Sequence, residues 1–239
     1  MESVTRTARQ RAREEITAEI LQAGRAALAE SGPGELSLRA VARSVGMVSS
    51  AVYRYFPSRD DLLTALIVIA YDELGTAAET ADDGIADRSD ARARWLATCR
   101  AVRSWALAHP HDYALLYGSP VRDYAAPATT VVPAMRVVRR LVDAVVTERA
   151  TGSADPTAPT GVPDGFDTSV SGAVEAMTDL FGLDGALPAE LVGRTLMAWS
   201  TVFGTISFEL WGHLVGSVTD HDAYFDGVVT RLWHDLGGR

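Results

Sequence analysis

The sequence has little of what a disulfide framework, a membrane span or a metal site would require. It contains one cysteine, Cys99, so an internal disulfide is excluded and a reducing cytosol is the expected compartment. No apolar run approaches the roughly 20 residues needed to cross a bilayer, and the N-terminus lacks the zones of a secretory signal peptide. The five histidines form neither an i, i+4 pair nor a cluster with the cysteine, so we expect no metal site and no cofactor.

Lysine is absent as well. All 22 basic residues are arginine, which we attribute to codon usage rather than to function. The net charge is −9, but residues 1–60 carry nine arginines against seven acidic residues, a balance of +2 that leaves −11 for the remainder. A basic N-terminal part can face phosphate groups although the chain as a whole is acidic. Charge therefore permits a nucleic-acid partner without demanding one.

Residues 37–57 predict two short helices joined by a tight glycine turn. The first helix has apolar residues at i, i+3, i+4 and i+7, namely Leu38, Val41, Ala42 and Val45. Ser37 occupies the N-cap position, and Gly46 lies where the chain must turn with a positive φ. The second helix begins near Ser49 and stops at Pro57. This arrangement is a helix-turn-helix, whose second helix enters the major groove of DNA.

The hydrophobic periodicity is helical throughout and predicts an all-α chain in three parts. We expect a basic, disordered arm over residues 1–13 and a three-helix DNA-binding domain over residues 14–60, with the helix-turn-helix at 38–57. Residues 61–239 are expected to form a larger helical domain. Hydrophobic residues make up 47% of the chain, enough for a small module beside a larger core.

Local signals place the ends of several elements. The first helix is expected to run from about Glu14 to Ser31, where a Gly-Pro-Gly turn ends it. Ser58 caps a later helix, with Asp61 three residues on in a capping-box arrangement. Residues 150–167 contain several prolines and glycines and predict a loop.

The helix-turn-helix has an expected inner face and an expected DNA face. The apolar residues Val45, Val48, Val52 and Phe56 are expected to pack on the first helix. Short hydroxyl and apolar side chains near the start of the second helix can reach base edges and thymine methyl groups. Tyrosine, arginine and the capped helix N-termini suit phosphate contacts. The candidate DNA-binding residues are Ser37, Arg39, Met47, Ser49, Ser50, Ala51, Tyr53, Arg54, Tyr55, Ser58 and Arg59.

The segment from Gly46 to Leu63 resembles the signature of the TetR/AcrR family of transcriptional regulators. It reads Gly-Met-Val-Ser-Ser-Ala-Val-Tyr-Arg-Tyr-Phe-Pro-Ser-Arg-Asp-Asp-Leu-Leu. Arg59 stands where that family usually has lysine, and Ala51 where threonine or serine is common. The resemblance implies a homodimer with a four-helix interface, an operator of double-stranded DNA, and a ligand pocket in residues 61–239, which then form a regulatory and dimerisation domain.

The C-terminal half is similar to the subgroup whose regulatory domain carries a W-x-x-x-H-G element. Trp199 and Gly204 match that element, but Phe203 replaces its histidine, so no role of the imidazole carries over. Eight side chains are candidates for a ligand pocket, with ordinary core packing as the alternative for each: Trp95, Cys99, Trp105, Tyr113, Tyr117, Phe181, Trp199 and Phe203. As a group they favour a large apolar or aromatic ligand. Arg100 and Arg103 could anchor an acidic group or form ion pairs.

The last two helices carry more apolar side chains than one inward face needs. A wide apolar strip of this kind normally marks an association surface. The candidate dimer-interface residues are Phe208, Trp211, Tyr224, Phe225, Val228 and Leu232.

These observations favour a bacterial, cytoplasmic and ligand-responsive repressor that binds a palindromic operator as a homodimer and is released by a small apolar or aromatic effector. The first alternative is a DNA-binding activator or regulator that senses no small molecule. The second is an enzyme, for which the sequence offers no paired carboxylates at catalytic spacing, no nucleophile elbow and no phosphate-binding loop. No membrane partner is expected.

Overall fold

The computed structural model describes residues 7–150, 165–182 and 188–238. Within these ranges every regular element is a helix, which confirms the all-α prediction. None of the helices in the described ranges is long and apolar enough to cross a membrane. Residues 1–6 of the expected arm, and most of the loop expected at 150–167, lie outside the described residues.

The described residues form eleven α-helices. In chain order they are α1 (Ala8–Ser31), α2 (Leu38–Ser44), α3 (Ser49–Val52), α4 (Arg59–Asp83), α5 (Ala91–Ala108), α6 (Pro110–Tyr117), α7 (Val131–Ala150), α8 (Phe166–Ser169), α9 (Ser171–Phe181), α10 (Ala189–Leu210) and α11 (His221–Asp235). Two short 3₁₀ turns, Pro33–Glu35 and Ala128–Thr130, precede α2 and α7.

The described chain divides into two compact units. The first contains the chain up to Ala70 together with His111–Thr130, and the second contains Tyr71–Pro110 together with the chain from Val131 onward. The boundary expected between residues 60 and 61 therefore differs from the observed grouping. Contacts between residues distant in the chain group the start of α4 and residues 111–130 with the first unit. The helix-turn-helix motif carries no information about such contacts.

Helix α1 begins earlier than its apolar pattern predicts. Thr7 Oγ1 accepts a hydrogen bond from the Gln10 amide at 3.3 Å, and Gln10 Oε1 accepts one from the Thr7 amide at 2.8 Å. This capping box satisfies two amides of the first turn and starts the helix at Ala8. The expectation of a disordered arm is therefore wrong for residues 8–13, and so is the expected start at Glu14.

The core of the first unit forms where α4 lies against α1. Ile20, Gly24 and Leu28 are the buried residues of α1. A Cβ atom added at Gly24 would lie 3.1 Å from Leu66 Cδ1, so glycine lets the two helices approach closely. Two polar contacts join further elements of this unit: Arg25 Nε donates to Asp112 Oδ1 at 3.0 Å, and the hydroxyls of Thr64 and Tyr124 lie 2.9 Å apart.

The core of the second unit is built around α5, which packs on α7, α10 and α11. Trp95 is fully buried there, its Nε1 donates to the Val229 carbonyl at 2.9 Å, and its ring lies 5.9 Å from that of Trp233. An indole that buries its ring and also satisfies its N–H is a stable core residue.

A buried carboxylate, Asp82, lies at the C-terminal end of α4 within this unit. It accepts hydrogen bonds from Arg94 Nε and Arg88 Nη2, both at 2.7 Å, and from Arg140 Nη1 at 3.2 Å. Burial alone would raise the pKa of Asp82, but the hydrogen bonds from Arg94 and Arg88 outweigh it and hold this pKa below its usual value. The carboxylate thus remains charged in the interior and joins α4, α5 and α7.

Candidate nucleic-acid interface and ligand cavity

The turn between α2 and α3 has the geometry that its glycine predicts. Gly46 adopts φ +67°, and the Met47 amide donates to the Ala42 carbonyl at 2.9 Å. Such a hydrogen bond closes the C-terminus of α2 around a left-handed residue. Ala42 is fully buried, so its small side chain allows the close packing of the pair. The helix-turn-helix prediction is confirmed.

Helix α3 is short, and its inner face is formed by Val52. The regular α-helix covers Ser49–Val52, after which the Arg54 and Tyr55 amides bond to carbonyls three residues earlier. Val52 is fully buried and Phe56 is nearly so. The recognition helix therefore continues for one tighter turn before Pro57 ends it.

Val48 does not pack inward as its apolar character suggested. Its side chain is 70% exposed, and its backbone is extended, with φ −70° and ψ 141°. Val48 is the N-cap residue of α3, so it lies outside the helical periodicity that the inward prediction assumed. The expected packing of Val48 on α1 is wrong, and the residue instead presents an apolar surface at the start of the recognition helix.

Arg59 makes contacts inside the first unit rather than presenting its guanidinium freely. Its Nη2 donates to the Pro33 carbonyl at 2.8 Å, and its Nε donates to the Leu36 carbonyl at 3.2 Å. These carbonyls belong to the segment that joins α1 to α2. The forked guanidinium supplies several donors to this segment at once, and the phosphate contact expected for Arg59 stays a prediction.

The two predicted caps differ in outcome. Ser58 Oγ accepts from the Asp61 amide at 3.1 Å and donates to the Asp61 carboxylate at 2.6 Å, which confirms the cap of α4. Ser37 has the extended backbone of an N-cap, but its side chain makes no capping hydrogen bond. The cap by the Ser37 hydroxyl is therefore not formed.

Arg13, which the sequence placed in the N-terminal arm, lies beside this surface. Its guanidinium carbon lies 5.3 Å from the ring centroid of Tyr55, within the range of a cation–π contact. Because α1 extends back to Ala8, this arginine is helical and is held beside the recognition turn. The capping box of Thr7 and Gln10 was the sequence signal that could have placed Arg13 in a helix.

The remaining candidates form a surface of mixed exposure. Arg39, Ser50, Tyr53, Arg54 and Ser58 are exposed. Ser37, Met47, Ser49, Ala51, Tyr55 and Arg59 are half-buried. Their individual contacts with DNA remain predictions.

A cavity of about 420 Å³ lies in the second unit, and its walls come from α4, α7 and α9. The lining residues are Glu79, Val132, Met135, Arg136, Arg139, Arg140, Asp143, Leu180 and Phe181. We call it the arginine cavity. Phe181 is the one member of the eight predicted pocket residues that lines it, and the three arginines were not among those predictions.

Three further pocket candidates are packed in the core of the second unit. Trp95 and Cys99 are fully buried, and burial raises the pKa of the Cys99 thiol. Trp105 stacks on His109 with ring centroids 5.0 Å apart, and its Nε1 has no hydrogen-bond partner within the described chain. These contacts match core packing, the alternative weighed for each side chain.

The last four candidates are divided between the two units. Tyr113 and Tyr117 belong to the first unit, with ring centroids 5.1 Å apart, and not to the larger domain in which they were expected. Trp199 and Phe203 lie on α10, 5.5 Å apart, where Phe203 is buried. Tyr113 and Tyr117 thus belong to a different unit from Trp199 and Phe203, and a ligand pocket lined by these side chains stays a prediction.

Both arginines of α5 that could have held an acidic ligand are ion-paired. Arg103 Nε and Nη2 each donate to the Glu209 carboxylate at 2.7 Å, and its Nη1 donates to Asp222 at 2.7 Å. Arg100 forms two hydrogen bonds with Asp226, at 2.7 and 2.8 Å. The ion-pair alternative is confirmed for both.

Five of the six candidate dimer-interface side chains are at least partly accessible, and Phe225 is not. Phe208, Trp211 and Tyr224 are each about half exposed. Phe225 is 1% exposed and lies beneath Arg103, whose guanidinium carbon is 5.3 Å from the ring. Its assignment to the interface is wrong because α11 turns this side chain toward α5. Val228 and Leu232 are half-buried and line a shallow apolar groove.

Among the residues that the structure describes, no group of histidine, cysteine, aspartate and glutamate side chains could hold a metal ion.

Two family models match the chain. The model described as bacterial regulatory proteins of the tetR family matches residues 20–66, which include the helix-turn-helix. The model described as tetracyclin repressor-like, C-terminal domain, matches residues 95–232. The two models together account for most of both helical units.

Individual relatives match this chain over nearly its whole length. A curated HTH-type transcriptional regulator of Mycobacterium tuberculosis is 42% identical over 234 residues, 94% of this chain and 93% of the relative. The crystal structure of a proposed regulatory protein, SCO4313, matches with a TM-score of 0.75 and 30% identity, covering 95% of this chain and 100% of that one. A protein of unknown function from Rhodococcus sp. RHA1 matches with a TM-score of 0.68 at 24% identity, over 93% and 95% of the two chains, and supports the fold alone. The named relatives are regulators rather than enzymes.

Proposed function

Because the chain belongs to the TetR family of bacterial transcriptional regulators, we propose that it is a homodimeric repressor of the bacterial cytoplasm. It binds a palindromic DNA operator and is released when a small-molecule effector with a large apolar part occupies its larger helical unit. The observation that carries the proposal is the helix-turn-helix, with its glycine turn and the exposed side chains of Ser50, Tyr53 and Arg54. A dimer presents two recognition helices to successive major grooves, roughly 34–36 Å apart.

The first unit supplies the groups that this task requires. Ser50, Tyr53 and Arg54 are exposed on or just after α3 and can reach base edges and phosphates. Val48 adds an apolar surface suited to a thymine methyl group. Arg59 stabilises the connection before α2 and so orients the recognition helix indirectly.

The helices α10 and α11 supply the surface for a second copy. Large apolar side chains are exposed along them, and exposure of several such residues on one surface indicates association. They are Leu196, Met197, Phe208, Trp211 and Tyr224. A dimer formed here would bury side chains that a monomer leaves in water.

The experiment is selection of DNA from a random library by the purified full chain, followed by footprinting of the enriched sequence. We expect a palindromic site, with a specific affinity that exceeds non-specific binding by about a thousand-fold or more. Light scattering is expected to report a dimer. Enrichment of no sequence, with equally weak binding to all DNA, contradicts the operator proposal, and a monomer at micromolar concentration contradicts the dimer.

A regulator without an effector is the second candidate, and the dense packing around Trp95 and Cys99 favours it. Transcription from the selected operator distinguishes the two. A repressor lowers transcription of a downstream reporter, whereas an activator raises it. Release by a small molecule separates the effector-dependent form from a regulator that senses none.

A further inference from the structure

Three arginines on one face of α7 line the arginine cavity. Arg136, Arg139 and Arg140 follow one another at i, i+3 and i+4, so their side chains emerge on the same side of the helix. Two carboxylates, Glu79 and Asp143, also line the cavity. The formal balance of three cations against two anions is +1, in a chain that is acidic overall.

Arg136 is fully engaged with α4. Its Nε and Nη2 donate to the Glu79 carboxylate at 2.9 and 2.6 Å, and its Nη1 donates to Asp72 Oδ1 at 3.0 Å. The hydrogen bond from Arg136 holds the pKa of Glu79 below its usual value. A Cβ atom at Gly75 would lie 2.8 Å from Arg136 Cβ, so glycine makes room for this arginine against α4. Arg136 is therefore a fixed part of the wall.

Arg140 is engaged through one nitrogen, because its Nη1 lies 3.2 Å from Asp82 and 3.5 Å from Asp83. Arg139 differs from both. Its Nε is 3.7 Å from Asp143 Oδ2, longer than a hydrogen bond, and its side chain is 49% exposed. Arg139 is thus the most exposed of the three arginines that line the cavity and the one without a short carboxylate contact, so its donors can reach a bound molecule.

The apolar part of the wall lies beside Arg139. Its guanidinium carbon is 5.4 Å from the ring centroid of Phe181, and the neighbouring walls are formed by Val132, Met135 and Leu180. A cavity of this size with a mainly apolar side and a few convergent polar groups is suited to a small organic ligand. A guanidinium placed at the edge of such a surface matches a planar carboxylate.

We propose that the arginine cavity binds an organic carboxylate with an apolar body, whose carboxylate is received by Arg139 and whose body lies on Phe181 and its apolar neighbours. The inference rests on the proposed function, since this molecule would be the effector. The sequence alone predicts an apolar or aromatic effector, and the cavity adds a carboxylate to that description. Asp143 competes with the ligand for Arg139. Burial raises the pKa of Asp143, so this carboxylate takes up a proton more readily when a second carboxylate enters the cavity.

The test is calorimetric titration of the full chain with three acids, octanoate, decanoate and 4-phenylbutyrate, each paired with its alcohol. We expect at least one of these carboxylates to bind more tightly than its alcohol, by about ten-fold or more. One charge-assisted hydrogen bond to Arg139 accounts for a difference of this size. Arg139→Gln is expected to lower the affinity for the carboxylate about ten-fold. Asp143→Asn is expected to increase the affinity, because it removes the competing carboxylate.

Arg149→Gln is the matched control, since Arg149 is an exposed arginine on the same helix outside the cavity. Unfolding temperatures of the ligand-free variants show whether each one folds. The inference is overturned if no carboxylate binds more tightly than its alcohol, or if Arg139→Gln and Arg149→Gln bind alike. Operator selection by the same ligand-free samples keeps the two proposals apart. A protein that selects its DNA but prefers no carboxylate refutes the inference alone, and one that selects no DNA refutes the proposed function.

Discussion

Two arginines of the helix-turn-helix differ in their surroundings from two arginines in the core of the second unit. In the first unit, Arg39 on α2 and Arg54 just after α3 are exposed. In the second, Arg94 is buried and donates twice to Asp82, while Arg103 donates twice to Glu209. Since this chain has no lysine, one residue type serves both purposes, and the position of the nearest carboxylate decides whether a cation faces a partner or stabilises the core.

The largest expected effect belongs to the buried side of this comparison. Asp82→Ala leaves the buried Arg94 without its principal carboxylate, and the free energy of unfolding should fall by about 3–5 kcal/mol. Urea unfolding at a fixed protein concentration measures this loss. The control is Asp222→Ala, which removes an exposed partner of Arg103 and should cost about 1 kcal/mol or less. Equal losses in the two variants would contradict the ranking.

The same carboxylate predicts a pH dependence with a definite sign. Because its folded-state pKa is lowered, charged Asp82 stabilises the fold above its unfolded value, about pH 4, and this contribution is lost as the pH falls through the folded value. The difference in unfolding free energy between the native chain and Asp82→Asn should therefore be largest near neutral pH and shrink in acid. Urea midpoints at several pH values measure it, and a difference that grows below pH 4 would refute the assignment.

On the exposed side, Arg54→Ala should weaken binding to the selected operator by about 1–3 kcal/mol and relax base preference at one position. Its unfolding free energy should change by no more than about 0.5 kcal/mol, because the side chain lies outside the core. Fluorescence anisotropy with operator and mismatched DNA measures the first effect. Arg92→Ala, which removes an exposed arginine of α5, is the charge-matched control and should leave DNA binding unchanged.

The helix-turn-helix could be predicted because its signals are local. Gly46 needs a left-handed backbone, and the cap formed by Ser58 and Asp61 depends on residues three positions apart. The early start of α1 is also a local signal, since Thr7 and Gln10 form a capping box, but the arginines around them suggested disorder instead. The ends of helices can thus be predicted from neighbouring residues, provided that a capping box is considered together with the charge of the segment.

The cavity could not be predicted because its contacts are distant in the chain. Arg136 and Glu79 are 57 residues apart, and aromatic content alone does not reveal that Trp95 packs on α11 rather than on a ligand. The sequence also could not show which of Tyr224 and Phe225 lies at the surface, because that too depends on distant contacts. The two are adjacent and both aromatic, and only the packing of α11 on α5 exposes the first and buries the second.

The smallest expected effect concerns an apolar residue on the exposed surface, Val48. Val48→Ser should leave the unfolding free energy within about 0.5 kcal/mol, since the side chain is 70% exposed. If Val48 contacts a thymine methyl group, the variant should lose about 1 kcal/mol on the selected operator, and the loss should vanish when that thymine is replaced by uracil, which lacks the methyl. Val131→Ser, an exposed valine of α7, is the control. A loss of stability without a change in base preference would show instead that Val48 supports the fold, and the reading surface would then consist of polar side chains alone.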